Sequence, residues 1–236
     1  MAIKQIQMKS VSNLSLSEKF IIIAHQANKG RFFVSDIVLS HGIVGALLLE
    51  LSLNELVYLN NKKLVVKSKK TKDVLLNELL DKIGDSSREK NIKTWVRRLN
   101  NRSKKYKWSI LNSLSDKKII RIEIHKFIGF IPYKLTYFTD NKIREILIES
   151  INDTVLKSKK VSTEDVAFLS LIQACKLQKV FCTNRNERKE FNKNLKELLD
   201  NNPITDAVAK SIKEVQAAVI GVVTGAAIAS TVTSSN

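Results

Sequence analysis

Turn-forming residues are scarce in this sequence, with 7 Gly and 2 Pro among 236 residues. Strand-rich sandwiches and barrels need frequent turns and build them from these residues. Such folds are therefore excluded, and long helices are favoured. Cysteine is scarcer still. Cys175 and Cys182 lie in a stretch that reads as one helix, on one face of it. At helical rise their Cα atoms stand roughly 10 Å apart, too far for a disulfide. They read as free thiols of a reducing cytosol. Histidine is limited to His25, His41 and His125, on three different elements, and no HExxH, CxxC, Walker loop, GxGxxG or GxSxG occurs. The sequence therefore reads as that of a non-enzyme with no metal or cofactor. The first residues contain no apolar secretory run. Acids are also few: 23 Asp and Glu stand against 40 Lys and Arg, a net charge of +17. A globular chain this basic is drawn to a polyanion, whether nucleic acid, anionic lipid or an acidic partner.

What is present reads as helices built on one core. Ser15 followed by Glu18 forms a capping box ahead of the apolar run Phe20 to Ala24. The block from Ile37 to Leu59, with Gly42 and Gly45 inside it, is apolar enough to be a central helix buried on most sides. Asn60 to Lys63 reads as a turn between short strands. Asp73 opens an amphipathic helix with Val74, Leu75, Leu79 and Ile83 on its apolar face. Ile92, Trp95, Val96 and Leu99 repeat at helical spacing. Tyr106 to Leu114 reads as a short helix. Later helices are expected over Asn141 to Leu156, Ser162 to Phe181 and Asn184 to Leu199, with a charged loop at 157–160 and a break at Pro203. From Val215 to Asn236 no residue is charged, and Gly221 and Gly225 match a small-residue packing motif. This segment is dominated by Ala, Gly, Thr and Ser and lacks flanking aromatics. It reads as a core helix, with a membrane span as the competing reading.

Two features stand out. Between Arg88 and Lys107 nine basic residues face one acid, Glu89, and Trp95 and Tyr106 are interleaved. Then Ile119 to Phe138 alternates apolar and polar residues around the tip Lys126-Phe127-Ile128-Gly129-Phe130-Ile131-Pro132, the pattern of a β-hairpin. Cations suit lipid headgroups, and the apolar tip suits the interface just beneath them. The same cations suit nucleic acid, but nucleic acid gives no use to an apolar hairpin. A third reading is a soluble scaffold that forms homo-oligomers through the tip.

Several stretches resemble the Golgi phosphoprotein 3 family: Leu14 to Lys19, Gly42 to Leu53, Asp73 to Glu78, Trp95, Lys126 to Pro132 followed by Tyr137, and Val208 to Val219. The resemblance implies a mainly α fold, a single helical domain around a buried helical core with one projecting hydrophobic β-hairpin. The domain spans 14–232, after a short N-terminal segment 1–13 and before a tail 233–236. It also implies that the late uncharged segment is core helix. Eukaryotic members are peripheral Golgi proteins that bind phosphatidylinositol 4-phosphate, recognise cytosolic tails of membrane enzymes and link them to coatomer. The expected role is thus that of an adaptor in membrane-protein sorting, cytoplasmic and peripheral on the cytosolic face of a membrane. Its expected partners are anionic phospholipid and tails of membrane proteins.

In the family's lipid pocket two arginines precede the hairpin, and their positions fall on Lys104 and Lys107. Arg97, Arg98, Arg102 and Lys105 lie nearby. The pocket's helix arginine falls on Val44. Its tryptophan falls at Val34 or Ser35, with Phe33 as the stand-in. The expected headgroup-binding residues are therefore Lys104, Lys107, Arg97, Arg98, Arg102, Lys105 and Phe33. The expected inserting or oligomerising residues are Phe127, Ile128, Phe130 and Ile131. The absence of a long N-terminal extension points to a prokaryotic or early-branching member.

Overall fold

The computed structural model describes residues 11–27, 29–68, 70–156, 161–201 and 206–232, with side chains described except at 201, 206–209 and 226–232. Most of the expected N-terminal segment, the charged loop at 157–160, Pro203 and the tail 233–236 lie outside the described residues.

The chain forms α1 (Leu16–Ala24), α2 (Asp36–Leu53), β1 (Val57–Asn60), β2 (Lys63–Val66), α3 (Val74–Gly84), β3 (Lys90–Asn91), α4 (Ile92–Asn100), α5 (Ser103–Asp116), β4 (Ile120–Phe127), β5 (Ile131–Phe138), α6 (Lys142–Leu156), α7 (Thr163–Ala174), a 3-10 turn (Gln178–Val180), α8 (Arg185–Asn201) and α9 (Asp206–Val232). The mainly α reading with a hairpin holds.

Local chemistry fixes the helix starts. At α1 the Glu18 N–H donates to Ser15 Oγ at 3.3 Å and the Ser15 N–H donates to Glu18 Oε2 at 2.9 Å. Asp73, Asn91 and Ser162 accept from the first turns of α3, α4 and α7 in the same way. Glu18, itself buried, also accepts from Lys117 Nζ at 2.6 Å and so ties α1 to the end of α5.

The central helix is α2, buried continuously from Gly42 to Ser52 and flanked by α1, α4, α5, α7 and α9. Among the described residues it is the one helix long and apolar enough to cross a membrane, and most of it is covered by protein. Close approach explains its glycines. A Cβ on Gly42 would stand 2.2 Å from Phe20 Cζ, and one on Gly45 would stand 3.0 Å from both Leu171 Cδ1 and Val219 Cγ2. Ile212, Val215, Val219 and Val223 of α9 are buried, so the late segment packs as core helix as far as Val223.

Four local expectations are corrected. The Gly221 and Gly225 pair packs on nothing, since no described atom lies within 4 Å of a Cβ built at either. Val74 is 83% exposed and lies off the apolar face of α3. The helix expected through Phe181 stops at Ala174, because Lys176 turns left-handed with φ +55°. Cys175 and Cys182 are both free, but a turn separates them and they share no helix face.

Two antiparallel sheets complete the fold, β1-β2-β3 and the β4-β5 hairpin. The hairpin register runs from Ile120 opposite Phe138 to Phe127 opposite Ile131.

Candidate functional site

The hairpin changes character along its length. At the base Ile120, Thr136 and Phe138 are buried. At the tip Phe127, Ile128, Phe130 and Ile131 are 60, 68, 71 and 47% exposed. Ile128 and Gly129 take φ +50° and +78° to close the turn, and nothing lies within 4 Å of a Cβ at Gly129. A side chain such as Phe130 contributes about 1.5–3 kcal/mol when fully buried, so this cluster loses free energy while it faces water.

One face of the hairpin carries a polar ladder. Arg121 Nε donates to Glu123 Oε1 at 2.7 Å, and His125 Nε2 lies 3.2 Å from Glu123 Oε2. The bond from Arg121 holds the Glu123 carboxyl below the usual carboxylate range. His125 stacks on Tyr133, and Arg121 sits over Tyr137.

The segment between α1 and α2 is strapped to the hairpin base. His25 Nε2 bonds Thr136 Oγ1 at 2.8 Å, and the imidazole sits edge-on to Phe32 and Phe138. Burial pushes the His25 pKa below its ordinary value. This strap presents Phe32 and Phe33 as a half-buried aromatic pair. Cations from four elements gather on it and on Trp108. Lys107 of α5 is 5.8 Å from the Phe32 ring centroid, and Lys134 of β5 is 5.3 Å from that of Trp108. Arg144 of α6 and Lys179 of the 3-10 turn are 5.8 and 6.0 Å from that of Phe33.

The residues singled out in the sequence are thus divided among several surfaces. Lys107 and Phe33 lie on the strap surface, with Lys104 exposed one helical turn before Lys107. Lys105 and Arg102 point to α3, where Glu78 takes Lys105 at 2.6 Å and Arg102 at 3.5 Å. Arg97 lines a groove against α9 with Lys93, His41 and Glu214. Arg98 is exposed on α4. Sequence reasoning missed Phe32, Lys134, Arg144 and Lys179. Their only sequence signal is the Phe pair in a non-helical stretch after Gly30, because the four cations come from distant segments.

A family model of Golgi phosphoprotein 3 (GPP34) matches residues 16–215. The chain belongs to the Golgi phosphoprotein 3 family. The match runs from the first turn of α1 into α9 and includes the central helix, both basic helices and the hairpin. Comparison with curated proteins gives no match. Val44, where the resemblance would put a helix arginine, is fully buried in α2. Ser35 caps α2 through the Val38 N–H, and Phe33 lies beside Arg144 and Lys179. Among the described residues no group of three or more His, Cys, Asp or Glu could hold a metal ion.

Proposed function

We propose that this family member is a peripheral membrane protein, an adaptor that docks on an anionic cytosolic leaflet. The hairpin tip enters the interface while Lys107, Lys104 and the strap surface meet headgroups. The observation that carries this reading is the gradient along the hairpin, buried at the base and apolar yet exposed at the tip, next to a cation-rich surface. Each Lys or Arg near an anionic leaflet contributes about 1 kcal/mol. A few cations with two partly inserted side chains therefore give reversible binding. Family membership supports the adaptor role and a Golgi-type membrane. With Val44 at the helix position, charge and not a dedicated arginine fork sets the preference for anionic headgroups. A nucleic-acid reading fares worse, because the basic residues spread over several faces and the tip has no use there.

Co-sedimentation with vesicles tests the proposal. The protein should pellet with phosphatidylcholine vesicles containing phosphatidylserine and stay in solution with phosphatidylcholine alone. The variant Lys104→Glu with Lys107→Glu should stay in solution with both. Undiminished pelleting of that variant would overturn the assignment of the surface.

A further inference from the structure

Arg97 belongs to the basic cluster of the sequence but not to the strap surface. With Lys93, one helical turn before it on α4, it stands along a groove of about 500 Å³ between α4 and α9. The groove is largely apolar. Val96 and Ala218 in it are buried and Val222 is half-buried, while Ala217 and Gly221 lie exposed on the α9 side. No described atom lies within 4 Å of a Cβ built at Gly221, so the space above it is open. Residues four apart share a helix face, which puts both cations on one wall. Elsewhere cations beside packed helices meet acids, as Lys117 meets Glu18 and Lys105 meets Glu78. Lys93 and Arg97 are exposed and have no ion pair or hydrogen bond among the described residues. Glu214 is the one acid among the described lining residues, and it pairs with neither. An apolar trench with two cations against one acid fits a ligand with an apolar body and an anionic end.

Size decides between two such ligands. An α-helix is about 10–12 Å across with its side chains. The groove runs between two helices that pack directly on each other, so an acidic helical peptide is too wide to enter it. A single alkyl chain is not. We propose that the groove between α4 and α9 binds a long-chain carboxylate, a free fatty acid. Its chain lies along Val96, Ala218 and Gly221, and its carboxylate meets Arg97 and Lys93. The guanidinium can give two parallel N–H groups to a carboxylate, and Lys93 adds a second charge. This site does not rest on the membrane reading. Neither the hairpin tip nor Lys104 or Lys107 lines it.

The test is an NMR titration of the full chain with dodecanoate kept below its micelle concentration. The Ala217 and Gly221 amides and the Arg97 Nε–H should shift in the wild type. Octanoate, whose shorter chain buries less, should bind at least about tenfold more weakly. Dodecyl maltoside has the same chain and a neutral head, and should also lose about tenfold. Acetate should leave the signals where they are. Gly221→Leu fills the open space and should abolish the shifts at an unchanged melting temperature. Arg97→Gln, an exposed change, should weaken dodecanoate about tenfold and leave dodecyl maltoside unaffected. It decides the matter if Gly221→Leu fails to fold.

A wild type whose groove signals stay still overturns the proposal, and so does binding unchanged by Arg97→Gln or by a folded Gly221→Leu. Dodecyl maltoside binding as tightly as dodecanoate does the same, because the cations would then select nothing. Groove shifts with a synthetic acidic amphipathic peptide but not with dodecanoate would assign the groove to a protein partner and overturn the fatty acid. Lys104→Glu with Lys107→Glu, and Phe130→Asp, should bind dodecanoate like the wild type. Loss of the response in Phe130→Asp would place the alkyl chain at the tip and overturn the groove. Failure of the vesicle experiment leaves these expectations untouched, so the two readings fail separately.

Discussion

Glu50 Oε1, buried in the last turn of the central helix, accepts the Ser17 N–H of α1 at 2.6 Å. This bond joins two helices through a largely buried carboxyl. Burial raises the Glu50 pKa from 4.5 to about 7, opposed by the Ser17 N–H and helped by the nearby Asp73 charge. Between those values the unfolded chain has lost this proton and the folded chain keeps it. Stability from this site is therefore fully present at acid pH, falls as pH rises through the window, and is flat above it, a loss of up to about 3 kcal/mol. Glu50→Gln keeps the acceptor and removes the titration. Thermal unfolding from about pH 5 to about pH 8 should find the variant gaining on wild type as pH rises. A constant difference would show that Glu50 titrates normally.

Three helices end on a left-handed residue that is not glycine: Glu55, Lys118 and Lys176, at φ +53°, +59° and +55°. Each closes the same paired motif. At α7 the Leu177 N–H donates to the Ile172 carbonyl at 3.0 Å and the Lys176 N–H donates to the Gln173 carbonyl at 3.1 Å. A side chain there carries a conformational cost that glycine lacks. Lys176 is exposed and has no other assigned role, so Lys176→Gly should stabilise the fold by about 0.5–1 kcal/mol. Urea unfolding reads this directly, and a lower midpoint would count against the argument.

The same motif explains which parts of the fold were legible. Helix starts could be read, because Ser15, Asp73, Asn91 and Ser162 are capping residues in capping positions. The hairpin was visible in its alternation, and the buried core of α2 in its continuous apolar run. The ends of α2 and α7 were not visible, because this chain with 7 glycines stops them on Glu55 and Lys176, which signal nothing. The basic cluster was legible as composition but not as a surface. Helical geometry sends Lys105 to Glu78 and Lys107 to Phe32, although they are two residues apart. Arg144 and Lys179 come from segments distant from Phe33, so no local pattern could join them.

Glycines of the same chain should respond oppositely to alanine. Gly42→Ala drives a methyl group into Phe20 and to within 2.9 Å of Cys175 Sγ, inside a core with no room to yield. It should cost about 1–3 kcal/mol. Gly221→Ala meets no described atom within 4 Å and lies inside α9, so it should be neutral or gain about 0.5–1 kcal/mol. A large loss at Gly221 would mean that this face of α9 packs against a partner in solution. Unfolding measured at several protein concentrations would show that.

The hairpin tip can serve insertion or self-association, and one substitution separates them. Phe130 is 71% exposed at the turn, so Phe130→Asp removes apolar area without opening a cavity, and the melting temperature should hold. If the tip inserts, the variant should lose at least tenfold in affinity for anionic vesicles, since most of about 2 kcal/mol of burial disappears and a repelled charge is added. Its light-scattering mass without lipid should equal that of the wild type. If the tip joins copies of the chain, the wild type should scatter as an oligomer without lipid and Phe130→Asp should reduce it to a monomer. Insertion also predicts that added salt weakens binding only in part, because the apolar share of the contact is not screened. Complete release by moderate salt would leave the cations alone responsible and the tip without a membrane role.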